Sequence, residues 1–213
     1  MITLYDYLPS QNAYKVRQLL KHLDIPYRSE HISIFEGAGQ TADYLAINPT
    51  GAVPAIKLED GRVLAESNAI LLFLANGTKY LPSDAFAQAK VLQWLSFEGD
   101  YVQASIATLR HWTLTGKLAR RPQALIDSKR AAALKTLHIL DRALIDRDFL
   151  VDDCYSIADI SVFAYVHLAE DAGLKLRAHP HLQRWLEGVR EQPGFLDQVY
   201  PYSIDPHSGN ELP

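Results

Sequence analysis

The sequence predicts an α/β unit of βαβ-ββα order followed by an all-helical unit. Three observations predict it. Short strand-like and helix-like segments alternate over roughly the first 75 residues, a typical size for a small domain. The stretch from Asn76 to Phe86 then holds the breakers Gly77 and Pro82 beside Ser83 and Asp84. Beyond it the apolar periodicity is helical and no convincing strand occurs. The expected organisation is residues 1–76 as the first domain, 77–86 as a linker and 87–213 as the helical domain.

Taken in order, Ile2 to Tyr7 is a β-prone run that stops at Leu8-Pro9-Ser10. From Ser10 the pattern turns helical, with Ala13, Val16, Leu19, Leu20 and Leu23 on one face. Lys15, Arg17 and Lys21 fall mostly on the other face, and Lys15 and Arg17 are expected to be solvated charges. Asp24-Ile25-Pro26 ends this helix, and Tyr27 to Ile34 alternates weakly as a second strand. Residues 35–51 are irregular, broken by Gly37, Gly39, Asn48-Pro49 and Gly51. Val53 to Leu58 is strand-like, Glu59-Asp60-Gly61-Arg62 is a hairpin turn and Val63 to Ala65 returns as a strand. Glu66-Ser67 opens a helix carrying Ile70, Leu71, Phe73 and Leu74.

Helical stretches are expected over 86–114, 122–147, 157–171 and 180–191. The third is the most legible. In Tyr155-Ser156-Ile157-Ala158-Asp159-Ile160, the Ser156 hydroxyl can accept from the backbone N–H three residues on while the Asp159 carboxylate returns to the Ser156 N–H. Tyr155 and Ile160 are placed for a hydrophobic staple, and the following helix, apolar nearly all round, should be buried. The tail from Gln198 carries three prolines and no periodicity.

Composition excludes several classes. With 21 basic against 25 acidic residues and no block of five like charges, there is no footprint for nucleic acid or an anionic membrane. Cys154 stands alone, so no intrachain disulfide forms. The eight histidines are scattered, and no cluster has metal-ligand spacing, so no metal is expected. The longest uncharged apolar run, Ala69 to Ala75, is too short to span a bilayer, and the N-terminus lacks a signal-peptide pattern. A cytoplasmic protein is expected.

Four motifs in order now carry a resemblance: Leu4-Tyr5 through Pro9-Ser10-Gln11-Asn12-Ala13-Tyr14-Lys15-Val16-Arg17, then Asn48-Pro49-Thr50-Gly51-Ala52-Val53-Pro54-Ala55-Ile56, then Glu66-Ser67-Asn68-Ala69-Ile70, then Ser156-Ile157-Ala158-Asp159. His179-Pro180-His181-Leu182 through Trp185 to Pro193-Gly194-Phe195 extends it to about residue 196. The sequence resembles the cytosolic glutathione S-transferases, in particular bacterial-like serine-type members with a theta/nu-like N-terminal motif. The resemblance implies a thioredoxin-like first domain, an all-α second domain, a homodimer, glutathione as co-substrate and a role in detoxification.

It also implies residue roles. Ser10 follows a strand and opens a helix, which by position alone fits a plain N-cap. In the family the serine at this place donates its hydroxyl to the glutathione sulfur, and Asn12 is the reserve for that role, since some bacterial relatives that reduce disulfides use Thr or Asn in this turn. Tyr5 and Tyr7 are rivals that fit strand-core positions better. No cysteine lies near the turn, against the cysteine-type classes. Val53-Pro54 reads as an edge strand from chemistry alone; the resemblance implies a cis proline that presents the Val53 backbone to the cysteinyl part of glutathione. Glu66 and Ser67 are implied to hold the γ-glutamyl end, the carboxylate at Ser67 and the amine at Glu66.

Many relatives have a basic residue before the Val-Pro pair to meet the glycyl carboxylate; here it is Ala52, with Gln40, Lys15 or Arg17 as compensating candidates. The electrophile is expected against the helical domain at Tyr101, Ser105, Arg110, His111 and Trp112, with Asp100 reaching glutathione across the dimer. The expected activity is conjugation of glutathione to small hydrophobic electrophiles. The alternatives are a glutathione-dependent disulfide-bond reductase of the same fold and a non-catalytic ligand-binding scaffold.

Overall fold

The structure is a computed structural model that describes residues 1–212. The chain divides into two compact units, one formed by Met1–Asn76 together with the segment from Pro193 onward, the other by Gly77–Gln192. The expected helical domain therefore loses its tail, which packs with the α/β unit instead.

The first unit holds a four-stranded sheet of order β2-β1-β3-β4. β1 (Ile2–Asp6) pairs parallel with β2 (Tyr27–His31), Ile2 opposite Tyr27, and antiparallel with β3 (Ala55–Lys57), Leu4 opposite Ile56. β4 (Val63–Ala65) closes the hairpin with β3. With α1 (Gln11–His22) between β1 and β2 and α3 (Ser67–Ala75) after β4, this is the thioredoxin-like βαβ-ββα arrangement. A short α2 (Ala42–Leu45) lies inside the stretch expected to be irregular; Thr41 caps it by accepting from the Tyr44 N–H.

Alternation along β1 separates two cores. Tyr5 and Tyr7 face a cluster with Ile32, Phe35, Tyr44, Val53 and Ala55. Leu4 and Asp6 face the other way, toward α1. There Ala13, Val16, Leu19 and Leu20 are fully buried, and Ile70 and Leu71 of α3 are equally inaccessible. α1 ends in a Schellman motif: Asp24 takes φ 49°, its N–H bonds the Lys21 carbonyl and Ile25 N–H bonds the Leu20 carbonyl.

Two charges depart from expectation. Arg17 is only 5% exposed, its Nη1 bonding both Asp6 carboxylate oxygens at 2.6 and 2.8 Å. Lys15 is completely buried. Both lie on α1 within reach of buried oxygen acceptors, so the burial that periodicity assigns to apolar residues extends to them.

The second unit is helical. The expected helix over 86–114 is continuous but changes register: α4 (Ala85–Phe97) passes into a π-helical segment (Glu98–Ala107) and then α5 (Thr108–Leu114). The wider winding suits i,i+5 partners, and Gln103 Nε2 donates to Glu98 Oε2 at 2.9 Å. α6 (Gln123–Ala143) ends four residues early. α7 (Ile157–Val166) also stops short, where His167 Nδ1 bonds the Phe163 carbonyl at 2.7 Å, and a 3₁₀ turn over Ala169–Ala172 follows. α8 (Pro180–Arg190) begins on the Asp141 carboxylate, which accepts from the His181 and Leu182 N–H groups at 2.9 Å.

Nine of the ten α7 residues are buried, and its capping box is present. Asp159 accepts from Ser156 N, Ser156 Oγ, Leu150 N and Trp185 Nε1 at 2.9–3.1 Å, so one carboxylate joins a loop, α7 and α8. Burial outweighs these donors and pushes its carboxyl up to about 6. The Tyr155 ring meets Tyr80 and Phe149 edge-on. No helix among the described residues is long and apolar enough to cross a membrane.

Candidate functional site

The site is built from three loops of the first unit. The first follows β1. Leu8 and Pro9 turn the chain so that Ser10 N–H donates to the Tyr7 carbonyl at 2.8 Å, and Ser10 then caps α1. Its Oγ accepts from Ala13 N–H at 3.2 Å. A hydroxyl has two lone pairs and one proton. The cap uses a lone pair, so the O–H proton stays available to an acceptor in front of the helix. Ser10 and Asn12 are both half-buried, in or beside the first turn of α1.

The second loop runs from Asn48 to Pro54. Asn48, 2% exposed, organises it. Its Oδ1 accepts from Thr50 N and Oγ1, and its Nδ2 donates to the Ala52 carbonyl at 2.7 Å. Tyr44 Oη donates to the same carbonyl at 2.6 Å; burial pushes this phenol up to about 12, so it stays a donor. Two hydrogen bonds thus hold the peptide before Val53, and the Val53–Pro54 bond is cis. Neither Tyr44 nor Asn48 is among the site residues expected from sequence, although Asn48-Pro49-Thr50-Gly51 is a legible turn.

Gln40 is exposed beside this loop. A Cβ on Gly39 would strike the Gly51 carbonyl oxygen, and one on Gly51 would strike the Gln40 amide, so these two glycines permit the close approach.

The third loop is the junction of β4 and α3. Glu66 is exposed with φ 68° and ψ 114°, a region that L-residues rarely occupy. Ser67 begins α3 and is 6% exposed; Lys15 Nζ lies 3.4 Å from its Oγ. Lys15 therefore sits at Ser67, and Arg17 is held by Asp6 and the Leu8 carbonyl. Of the three candidates to replace a basic residue at position 52, Gln40 alone lies beside that loop.

The rival tyrosines are committed elsewhere. Tyr5 packs edge-on against Tyr44. Tyr7 Oη donates to Asp205 Oδ2 at 2.8 Å, and burial with this carboxylate raises its phenol far above the usual range. The tail that supplies Asp205 encloses a pocket of about 240 Å³ lined by Tyr7, Pro9, His31, Ser33, Glu36 and His207 among others. Sequence periodicity holds no signal for this contact, which joins residues 198 apart.

In the helical unit, Asp100, Tyr101 and Ser105 line a groove of about 240 Å³ with Leu125, Lys129 and Thr136. Tyr101 stacks on Phe97 at 4.9 Å. The other three electrophile candidates are engaged in packing. Arg110 is 3% exposed and bonds Asp171 at 2.9 Å, His111 Nε2 is 3.1 Å from Lys117 Nζ, and Trp112 lies under the Arg121 guanidinium.

The family models for the glutathione S-transferase N-terminal and C-terminal domains match residues 9–76 and 102–193. Over 207 residues the chain is 30% identical to glutathione S-transferase GstB of Escherichia coli, covering 93% of this chain and 98% of that one. It is 27% identical over 203 residues to the disulfide-bond oxidoreductase YfcG of the same organism, covering 91% and 92%. A glutathione S-transferase crystal structure from Pseudomonas fluorescens Pf-5 superposes with a TM-score of 0.89 at 36% identity, over 92% of this chain and 97% of that one. A glutathione transferase from Burkholderia graminis, 26% identical with a TM-score of 0.76 over 91% and 85% of the two chains, has two glutathione molecules bound per subunit. A capped serine turn, a cis-proline loop and a strained Glu-Ser junction on a thioredoxin-like sheet, matched along nearly the whole chain by such relatives, lead to one conclusion: the chain belongs to the glutathione S-transferase family.

Proposed function

We propose that this protein binds glutathione on the first unit, ionises its thiol at the start of α1 and adds the thiolate to a small electrophile. The observation that carries the reading is the Ser10 cap, in which the hydroxyl accepts from Ala13 and keeps its proton for a sulfur. A cysteine thiol titrates near about 8.5, so only a few per cent is thiolate at neutral pH. A hydroxyl donor and the free N–H groups of a helix N-terminus both favour the anion. In this reading the Val53 backbone pairs with the cysteinyl residue as an added strand would, Ser67 meets the γ-glutamyl carboxylate, Glu66 meets its amine and Gln40 serves the glycyl end.

Ser10→Ala tests it. Turnover with an aryl halide should fall roughly tenfold or more, as expected for loss of one hydrogen bond to a developing anion, while glutathione affinity changes little. Unchanged turnover would remove Ser10 from the mechanism.

A second reading, disulfide-bond reduction, has support from the relative of that name and from Asn12 in the same turn. A glutathione-capped disulfide assayed beside the aryl halide separates the two. Reduction that exceeds conjugation, and that falls with Asn12→Ala more than with Ser10→Ala, would favour it.

A further inference from the structure

Lys15 has no exposed surface, yet a lysine ammonium in the interior is unfavourable unless its hydrogens find acceptors. One acceptor is Ser67 Oγ, 3.4 Å from Nζ, at the first residue of α3. The consequence concerns the other hydrogen on that hydroxyl. Lysine can only donate, so Ser67 spends a lone pair on Lys15 and its own proton is directed elsewhere. It then adds to the main-chain N–H groups at the start of a nine-residue helix. The Lys15 Nζ stands 3.4 Å from that hydroxyl in an interior where little water screens it. Beside it, Glu66 is exposed at φ 68° and makes no side-chain bond to the helix N–H groups, so its carboxylate leaves those donors open. The junction is thus polarised to take a carboxylate at Ser67 and a cation at Glu66.

We propose that Lys15 is a positioning residue for the γ-glutamyl end of glutathione: through Ser67 it sets the affinity and selectivity for the α-carboxylate. The assignment rests on the glutathione-binding reading above. Lys15 touches neither the sulfur nor the electrophile, so it acts on binding and not on the chemical step.

The experiment is calorimetric titration of the full-length protein with glutathione and with an analogue that has 4-aminobutyryl in place of γ-glutamyl, which lacks only the α-carboxylate. Lys15→Met should weaken glutathione roughly tenfold, the usual scale of one charge-assisted hydrogen bond, and leave the analogue within about twofold. Lys15→Arg, which keeps the charge, should stay within about threefold of wild type for both ligands. In a Ser67→Ala background the further loss from Lys15→Met should shrink to less than about threefold, because the hydroxyl that relays it is gone. In steady state the change should appear in the glutathione KM with kcat held. Should Lys15→Met fail to fold, Lys15→Gln, which keeps an N–H donor without the charge, carries the same comparison. Equal losses for both ligands, no loss, or an undiminished loss in the Ser67→Ala background would each overturn the assignment. Wild-type protein that fails to bind glutathione would overturn the functional reading with it, whereas tight wild-type binding unaffected by Lys15→Met overturns this inference alone.

Discussion

In the proposed function, single residues at the junctions of strands and helices carry the chemistry, and one of them has a conformation that a side chain rarely adopts. That residue is Glu66. Its φ of 68° is a strained state for a side chain with a Cβ, of a kind that costs about 1–3 kcal/mol and gathers at functional sites. Glu66→Gly should therefore leave thermal stability unchanged or raise it by up to about 2 kcal/mol, after the extra backbone entropy of glycine is subtracted. In the proposed binding mode the same change should weaken glutathione binding, since the carboxylate assigned to the γ-glutamyl amine is lost. Urea unfolding and titration of one variant check both signs; a destabilised protein with unchanged affinity would show that Glu66 serves the fold. Ser10 and the Ser156–Asp159 pair are legible in the sequence because each bonds within three residues of itself. Lys15 and Arg17 are not, because their acceptors, Ser67 and Asp6, lie 52 and 11 residues away.

At the scale of elements, α7 depends on one buried carboxylate. Asp159 receives four donors from two helices and a loop, so Asp159→Asn turns an amide N–H toward groups that can only donate to it or are already donating. The expected cost is about 2–4 kcal/mol, measured as a lowered denaturation midpoint. The pH dependence has two opposed parts. Asp159 titrates at about 6 folded against about 3.9 unfolded, so its contribution is present below about 3.9 and is lost as pH rises through 6. His167, driven down to about 4 by burial, contributes stability above about 6.5 that is lost as pH falls through 4. The two oppose each other between these values. Removing the first should make the Asp159→Asn variant lose stability more steeply than wild type as pH falls from about 6 to about 4; a slope no steeper than wild type contradicts it. Helix existence is legible from periodicity here. The π register of residues 98–107 is not, because a one-residue change in hydrogen bonding leaves the apolar pattern nearly intact.

For the whole molecule, the departure from the sequence-based reading is the tail. It leaves the helical unit and returns to the α/β unit, where Asp205 accepts from Tyr7 and His207 lies 3.3 Å from Glu36. Tyr7→Phe should cost about 1 kcal/mol in urea unfolding, as loss of a part-buried hydrogen bond to a carboxylate does. Glu36→Gln, at an exposed pair, should cost no more than about 0.5 kcal/mol. Equal costs would mean that the tail is held otherwise. The division into an α/β half and a helical half is visible in the sequence because it rests on local periodicity. The docking of the tail rests on contacts nearly two hundred residues apart, which no local pattern encodes. The account as a whole stands on thiol ionisation at Ser10. Thiolate absorbance of enzyme-bound glutathione, followed against pH, should give a pKa at least about one unit below the free value near 8.5, moving back toward it in Ser10→Ala. A bound thiol that ionises at the free value in the wild-type protein would contradict the mechanism.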